Sequence, residues 1–468
     1  MSSAREIPAG AAKEKYYPDT IAAPISAWGH SSVGLIRISG PCTRKILEKI
    51  FAPAGRKKIK DISSHTVTYG RIHDRGEIID EVLVFLMKNP RSYTREDVAE
   101  ISSHGGPVII KKIFQLILKN GGRSAEPGEF TKRAFLNGRI DLVQAESVAG
   151  IISARGEKAA KIAASQMGGK LSEKINKLRK LLISSGAELN AAIDFPEDDI
   201  SVSLSKIKKD ISRAEDESRK LLDGYEGGRL YSEGVKIVIA GKPNVGKSSL
   251  INALSSSDRA IVTAVPGTTR DIIRQPVEIG GIPAELYDTA GLRKKPRGVI
   301  EKMGMDKTME AVSGADIIIF VFDASKKTDE KDRNIAEILR PFRQKTIMTG
   351  NKTDLGKKAP DKKTGFGLLY ISCLKGTGIN SLKKRLAKHL VSGSFISDDD
   401  TLITSSRQAG CLKNCLSSIK ESKKILAKRP AESVWLIEKA LAELDKITGR
   451  EFREEMINEI FSKFCIGK

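Results

Sequence analysis

The sequence predicts a multidomain chain: a mixed α+β domain first, then a discontinuous α-helical domain with an α/β domain inserted into it. Three patterns carry this reading. Between about residues 235 and 390, short apolar strands alternate with helical stretches, the mark of a mostly parallel sheet covered by helices. On either side of that block, apolar residues recur at helical spacing, and helices flanking an insert can pack as one bundle. Two separate small bundles would satisfy the same pattern. Ahead of both, the first part of the chain mixes strand and helix signals.

Composition bounds the function classes. The 468 residues allow about three domains. Lys and Arg number 80 against 58 Asp and Glu, a net charge of +22. Such an excess points to an anionic partner, most often nucleic acid, although solvated lysine faces alone produce it too. Cys42, Cys373, Cys411, Cys415 and Cys465 are odd in number and scattered, which excludes a disulfide framework and fits a reducing compartment. Cys411 and Cys415 lie four apart on a predicted helix without a nearby His, so they read as packing rather than zinc ligands. No apolar run nears the roughly 20 residues of a membrane span. Residues 1–16 read as a loose tail without the apolar core of a secretory signal, and the expected setting is cytoplasmic, with no membrane.

Taken in order, the first domain is expected over residues 17–136. Residues 33–38 and 82–87 read as strands, and 108–118 as a helix opened by His104-Gly105-Gly106-Pro107. The first helical part is expected over 137–232, with long helices over 157–192 and 203–223. Between those helices, Phe195-Pro196-Glu197-Asp198-Asp199 reads as a breaker whose acidic cluster starts a helix. The inserted domain is expected over 233–392, with further strands at 284–287, 316–322, 346–349 and 368–371. The second helical part is expected over 393–468. There Leu412, Cys415, Leu416, Ile419 and Leu426 share a face that Pro430 ends. Trp435, Leu436, Ala440, Leu441 and Leu444 follow as the next apolar face, and Ile457, Ile460, Phe461 and Phe464 as the last.

The inserted domain carries the chemistry. Gly241-Lys242-Pro243-Asn244-Val245-Gly246-Lys247-Ser248 lies between a strand and a helix, the context of a phosphate-binding loop. Its glycines let backbone N–H groups face phosphate oxygens, and the helix N-terminus adds positive potential. Lys247 can reach the β- and γ-phosphates, and Ser248 can hold Mg²⁺. Four more motifs follow in the order a Ras-like GTPase requires. Thr269, in Gly267-Thr268-Thr269-Arg270-Asp271, can complete the Mg²⁺ shell. In Asp288-Thr289-Ala290-Gly291, the carboxylate acts on Mg²⁺ through water and the Gly291 N–H meets the γ-phosphate. In Asn351-Lys352-Thr353-Asp354, the Asp354 carboxylate matches guanine N1–H and 2-amino donors, which adenine lacks, and so selects GTP. Ser372-Cys373-Leu374 stands where a backbone N–H meets guanine O6. The hydrolytic machinery departs from the common small-GTPase pattern. Leu292 occupies the position where Gln usually orients the attacking water, so another group has to do so. Asn244, with carbonyls of the following switch, is suited to a monovalent cation near the β/γ bridge, and it also suits a plain turn.

Two further stretches are more specific than these motifs. They are Pro127-Gly128-Glu129-Phe130-Thr131-Lys132-Arg133-Ala134-Phe135-Leu136-Asn137-Gly138-Arg139 and the terminal Phe464-Cys465-Ile466-Gly467-Lys468. With the single inserted GTPase domain, they make the chain resemble the MnmE/TrmE family of tRNA wobble-uridine (5-carboxymethylaminomethyluridine) modification GTPases over residues 19–468. The resemblance implies an α+β N-terminal domain that binds tetrahydrofolate and forms a homodimer. It also implies a discontinuous α-helical domain and an inserted Ras-like α/β P-loop GTPase domain whose copies pair when K⁺ and GTP bind. The implied activity is addition of an aminomethyl-type group to C5 of uridine 34 in certain tRNAs, in a heterotetramer with an FAD-dependent partner. The implied donor is 5-formyl- or 5,10-methylene-tetrahydrofolate.

Carried over by position, the folate contacts are Arg37, Glu100, Arg139 and Lys468, with Cys465 as a tail cysteine that either acts chemically or packs. The nucleotide contacts are Asn244, Val245, Gly246, Lys247, Ser248, Ser249, Thr263, Ala264, Val265, Pro266, Gly267, Thr268, Thr269, Asp288, Thr289, Ala290, Gly291, Asn351, Lys352, Thr353, Asp354, Ser372, Cys373 and Leu374. K⁺ would be held by Asn244, Thr263, Val265 and Thr268, Mg²⁺ by Ser248 and Thr269, and water by Glu301 through a bridge. The chain departs from the family's pattern in three places. Arg139 stands where Lys is usual and Cys373 where Ala is. Residues 293–300 are basic where the family is acidic, and are one residue longer. A ribosome-assembly GTPase without modification chemistry is the alternative, although the chain has no second phosphate loop and no Gly-x-x-Gly RNA module.

Overall fold

The computed structural model describes residues 19–27, 29–55, 58–194, 204–255, 274–288, 309–358, 367–391 and 401–468. They form two compact units, residues 1–149 with 441–468, and residues 150–440.

In the first unit, β1 (Thr20–Pro24), β2 (Val33–Ser39), β3 (Phe51–Pro53), β4 (Thr66–Asp74), β5 (Glu77–Met87), β6 (Val98–His104) and β7 (Gly122–Ser124) pair in the order β3-β4-β5-β6-β2-β1-β7. Every pairing is antiparallel except β1 with β7. Alternation along the strands divides the sheet into two faces. Ile36, Ile38, Val82, Val84 and Ile101 meet α1 (Thr43–Ile50) and α2 (Pro107–Lys119) through Ile46, Leu47, Ile50, Ile113 and Ile117. The opposite face holds one cross-strand row, Val67, Phe85, Glu100, Arg37 and Ala23. At its β1 end, Phe130 of α3 (Glu129–Leu136) packs on Ile21 and Ala23. At its β4–β5 end, Val67, Tyr69 and Leu83 are exposed. The terminal helix Glu454–Ser462 packs as expected, with Ile457, Phe461 and Phe464 against Phe135, Leu142 and Ala145.

In the second unit, β8 (Val235–Ala240), β9 (Arg274–Ile279), β10 (Ile282–Asp288), β11 (Ile317–Asp323), β12 (Thr346–Asn351) and β13 (Gly367–Tyr370) form a sheet in the order β13-β12-β11-β8-β10-β9. It is parallel apart from β9, which sequence reading missed. Pro276 lies within β9, and an edge strand tolerates the lost donor where a central one would not. Helices before and after this sheet in the chain pack together. Lys423 of the late helix Ser406–Ile425 donates to Glu215 of the early helix Leu204–Asp223 (2.9 Å). Gly186 of Lys170–Asp194 lies against Ile437 of Pro430–Thr448. One discontinuous helical domain therefore forms, rather than two bundles.

Local details differ from the sequence reading. The helix expected over 157–192 breaks into Glu157–Met167 and Lys170–Asp194 at Gly168-Gly169. Pro430 opens a helix instead of ending one, since a missing N–H is tolerated at a first turn. Trp435, expected in an apolar face, is 60% exposed. The acidic breaker Phe195–Asp199 lies outside the described residues. Among the described residues, no helix is long and apolar enough to cross a membrane.

Candidate nucleotide and cofactor sites

The phosphate loop joins the end of β8 to the helix Lys247–Ser255. Gly246 has φ +95, and a Cβ there would stand 2.2 Å from Asn351 Nδ2, so the backbone passes where only glycine fits. Asn244 adopts φ +64, which Asn tolerates better than most residues. Lys247 is buried, and its Nζ donates to the carbonyls of Gly241 (3.0 Å) and Lys242 (2.8 Å). Ser248 Oγ donates to Asp288 Oδ2 (3.2 Å), and Asp288 is itself buried at the end of β10. Two hard oxygens thus meet where Mg²⁺ would need them, beside a lysine aimed into the loop.

The guanine-reading segment is fastened to the same loop. Asn351 Nδ2 donates to the Val245 carbonyl (3.0 Å), and its Oδ1 accepts from the Cys373 N–H (3.0 Å). Lys352 Nζ donates to the Asn244 carbonyl (2.7 Å) and pairs with Asp323 (2.9 Å). Thr353 Oγ1 donates to the Ile371 carbonyl (3.0 Å). The Ser372 hydroxyl donates to Asp354 and holds that carboxyl below its ordinary value. Burial pushes the Cys373 thiol up to about 11, and Leu374 stands out in solvent. Sequence reading missed Asp323 and a second brace: Lys242 Nζ pairs with Asp329 (2.8 Å) and buried Asp332 (2.7 Å). The two Asp also form the capping box of the helix Glu330–Leu339, a spacing legible in sequence. Ser249 is exposed on the first turn after the loop. Thr263, Ala264, Val265, Pro266, Gly267, Thr268, Thr269, Thr289, Ala290, Gly291, Leu292 and Glu301 lie outside the described residues.

A second constellation forms in the first unit. Arg37 Nε donates to Glu100 Oε1 (2.8 Å) across β2 and β6. The Arg37 guanidinium lies 5.2 Å from the Tyr93 ring centre and 5.5 Å from that of Phe130, and Arg139 lies 4.8 Å from the Tyr93 ring. The terminal segment runs along this edge. Ile466 bridges Pro127, the Gly128 N–H donates to the Cys465 carbonyl (3.3 Å), and the Phe130 N–H donates to Lys468 O (3.1 Å). Gly128, at φ +68, permits the approach: a Cβ there would lie 2.6 Å from the Phe461 carbonyl. Cys465 is exposed. Arg37, Glu100, Arg139 and Lys468 are therefore brought together, with Tyr93 and Phe130 as aromatic walls that sequence reading did not name.

The helix carrying Phe130 is held by a charge network. Arg133 is buried and pairs with Asp19 (2.8 Å), Glu96 (3.1 Å) and Glu129 (3.0 Å), while Arg123 pairs with Asp19 (2.7 Å) and Glu129 (2.6 Å). Burial alone would raise the carboxyls of Asp19 and Glu129, but the arginine hydrogen bonds hold both below their ordinary values. The Pro127–Arg139 stretch is thereby explained residue by residue: Gly128 admits the tail, Glu129 and Arg133 lock the helix, and Phe130 and Arg139 face the pocket.

Comparison with known families follows the same division. The model of the "GTP-binding protein TrmE N-terminus" matches residues 20–139, and that of the "MnmE helical domain" matches residues 142–465. The tRNA modification GTPase MnmE of Desulforamulus reducens is 42% identical over 461 residues, covering 96% of this chain and 99% of that one. The chain belongs to the MnmE family of tRNA modification GTPases. Its relatives include the MnmE proteins of Carboxydothermus hydrogenoformans, 43% identical over 461 residues (96% and 99% covered), and of Thermotoga petrophila, 38% identical over 458 residues (96% and 100% covered). MnmE membership sets the ribosome-assembly alternative aside.

Proposed function

We propose that the chain is a K⁺-activated GTPase that, with a separate FAD-containing partner, adds an aminomethyl or carboxymethylaminomethyl group to C5 of wobble uridine 34 in certain tRNAs. A 5-formyl- or 5,10-methylene-tetrahydrofolate supplies the carbon. The observation that carries this reading is the presence of two distinct polar constellations in one MnmE-family chain: the guanine-reading phosphate loop and the aromatic-walled pocket edged by the tail.

Each residue has a chemical task in this reading. Lys247 exchanges its two carbonyl acceptors for β/γ-phosphate oxygens, Ser248 with Thr269 would hold Mg²⁺, and Asp354 accepts the two guanine donors. Asn244, Thr263, Val265 and Thr268 would hold K⁺, which supplies positive charge at the β/γ bridge. Glu301 positions water in place of the missing Gln. In the pocket, Glu100 accepts from pterin N–H groups, Tyr93 and Phe130 flank the ring, and Arg37, Arg139 and Lys468 meet the anionic tail. Cys465 stands at its edge. The exposed Val67, Tyr69 and Leu83 on an otherwise packed sheet support a homodimer through that face, and so a heterotetramer with the partner, in the cytoplasm.

Deleting Cys465 to Lys468 tests the reading. Wobble uridine is measured by mass spectrometry in the presence of the partner, beside GTP turnover of the same preparations in K⁺ and in Na⁺. The expected outcome is lost modification and weakened 5-formyl-tetrahydrofolate binding, with GTP turnover retained and faster in K⁺. Full modification by the truncated chain would refute the pocket assignment, and turnover indifferent to the cation would refute the K⁺ site.

A further inference from the structure

The helices Ser406–Ile425 and Pro430–Thr448 form a hairpin with an unusual outer surface. Between residues 406 and 429 stand Arg407, Lys413, Lys420, Lys423, Lys424, Lys428 and Arg429, against the single carboxylate Glu421. Lys423 and Arg429 are engaged with Glu215 and Glu432. Lys413, Lys420, Lys424 and Lys428 are exposed and make no ion pair among the described residues. Spaced seven, four and four residues apart, they follow one side of the helix and its closing turn.

Trp435 is a second, independent observation. It was expected in an apolar face, yet its indole is 60% exposed, with the Lys439 ammonium 5.4 Å from the ring centre. The Ser422 and Ser433 hydroxyls bond across the hairpin at 2.8 Å and fix the register of its two helices. Lys420, Lys424 and Trp435 each lie two residues from that contact, and Lys428 and Lys439 six. At ~1.5 Å of rise per residue, all five fall within about 9 Å of it along the hairpin. Unpaired cations beside an exposed aromatic ring are the two elements of single-strand recognition: the cations meet phosphates, and the ring stacks an unpaired base.

We propose that this hairpin binds a single-stranded segment of a structured RNA, with Lys420, Lys424 and Lys428 on the phosphates and Trp435 stacked on a base. The inference rests on the tRNA reading above and gives it a surface. The test uses the full-length chain, an unmodified tRNA transcript and a DNA duplex of similar length, with binding followed by fluorescence anisotropy over a KCl series. The triple change Lys420→Glu, Lys424→Glu, Lys428→Glu should weaken tRNA binding at least about tenfold and flatten the salt dependence by about two to three contacts' worth of slope. Trp435→Ala should weaken it about tenfold with the slope unchanged, and Trp435→Phe should restore most of the loss. GTP turnover should stay at the wild-type level in all three, which shows that they fold. If the variants bind tRNA as wild type does, the surface is wrong while the tRNA reading stands. If wild type binds no tRNA, both fail. If the duplex binds as tightly and suffers the same losses, the hairpin is a generic polyanion face and the stacking role is refuted.

Discussion

The phosphate loop and the tail-edged pocket are built by opposite means. The loop is one contiguous stretch whose geometry comes from its own backbone, with Asn244 and Gly246 at positive φ. Three side-chain braces, from Asn351, Lys352 and Lys242, hold it from outside. The pocket draws Arg37, Tyr93, Glu100, Phe130, Arg139 and Lys468 from remote parts of the chain, and the helix bearing Phe130 hangs on a buried arginine network. Local geometry survives changes elsewhere. An assembled pocket inherits the stability of whatever assembles it.

That contrast predicts effects that stay on one side or spread. The largest belongs to the nucleotide site. Asp354→Asn removes one acceptor that matches guanine and leaves a donor in its place, so preference should pass from GTP to xanthosine triphosphate. The ratio of kcat/KM values should change on the order of 10⁴-fold. Folate binding should not move; a parallel loss there would break the contrast. Next comes Arg133→Met, which strands Glu129, Glu96 and Asp19. Breaking a buried ion network costs about 3–5 kcal/mol, so the first unit should melt earlier and lose 5-formyl-tetrahydrofolate binding while GTP turnover persists. A variant that loses both activities together would show that the pocket and loop share one cooperative foundation.

The smallest effect sharpens the same point through pH. Asp19 and Glu129 titrate below their ordinary values in the folded unit. Their contribution is therefore complete above the unfolded values of 3.8 and 4.5 and is lost as pH falls through the lower folded ones. Hydrogen exchange of residues 129–136 should accelerate between about pH 5 and pH 2 in wild type, and Arg133→Met should flatten that dependence. An exchange rate insensitive to acid in wild type would remove the network from the account.

The same contrast explains what could be read from the sequence. Gly246, Lys247, Ser248, Asn351 and Asp354 were legible because strand, turn and helix signals surround each motif, and the fold class followed from alternation and helical spacing. Tyr93 and Phe130 were not legible as pocket walls, because an aromatic residue in a strand-rich domain is ordinarily core. The Arg133 network was hidden for a different reason: its five members are brought together by the sheet, from positions 19, 96, 123, 129 and 133. Edge strand β9 was missed because Pro276 argues against strand until its place in the sheet is known. Trp435 misled because helical spacing shows which residues share a face, but not whether anything covers it.

The two cysteines beside these sites differ in reactivity for a reason set by burial. It is the thiolate that attacks an electrophile, and a thiol pushed up to about 11 keeps almost none of it at neutral pH. Cys373 is thereby shielded from alkylation and oxidation, although it lies next to the guanine-reading segment. Cys465 projects into solvent at the other site. A maleimide dye would therefore mark the tail and spare the nucleotide pocket, so the motion of the last four residues could be followed by fluorescence during GTP turnover without replacing Cys373.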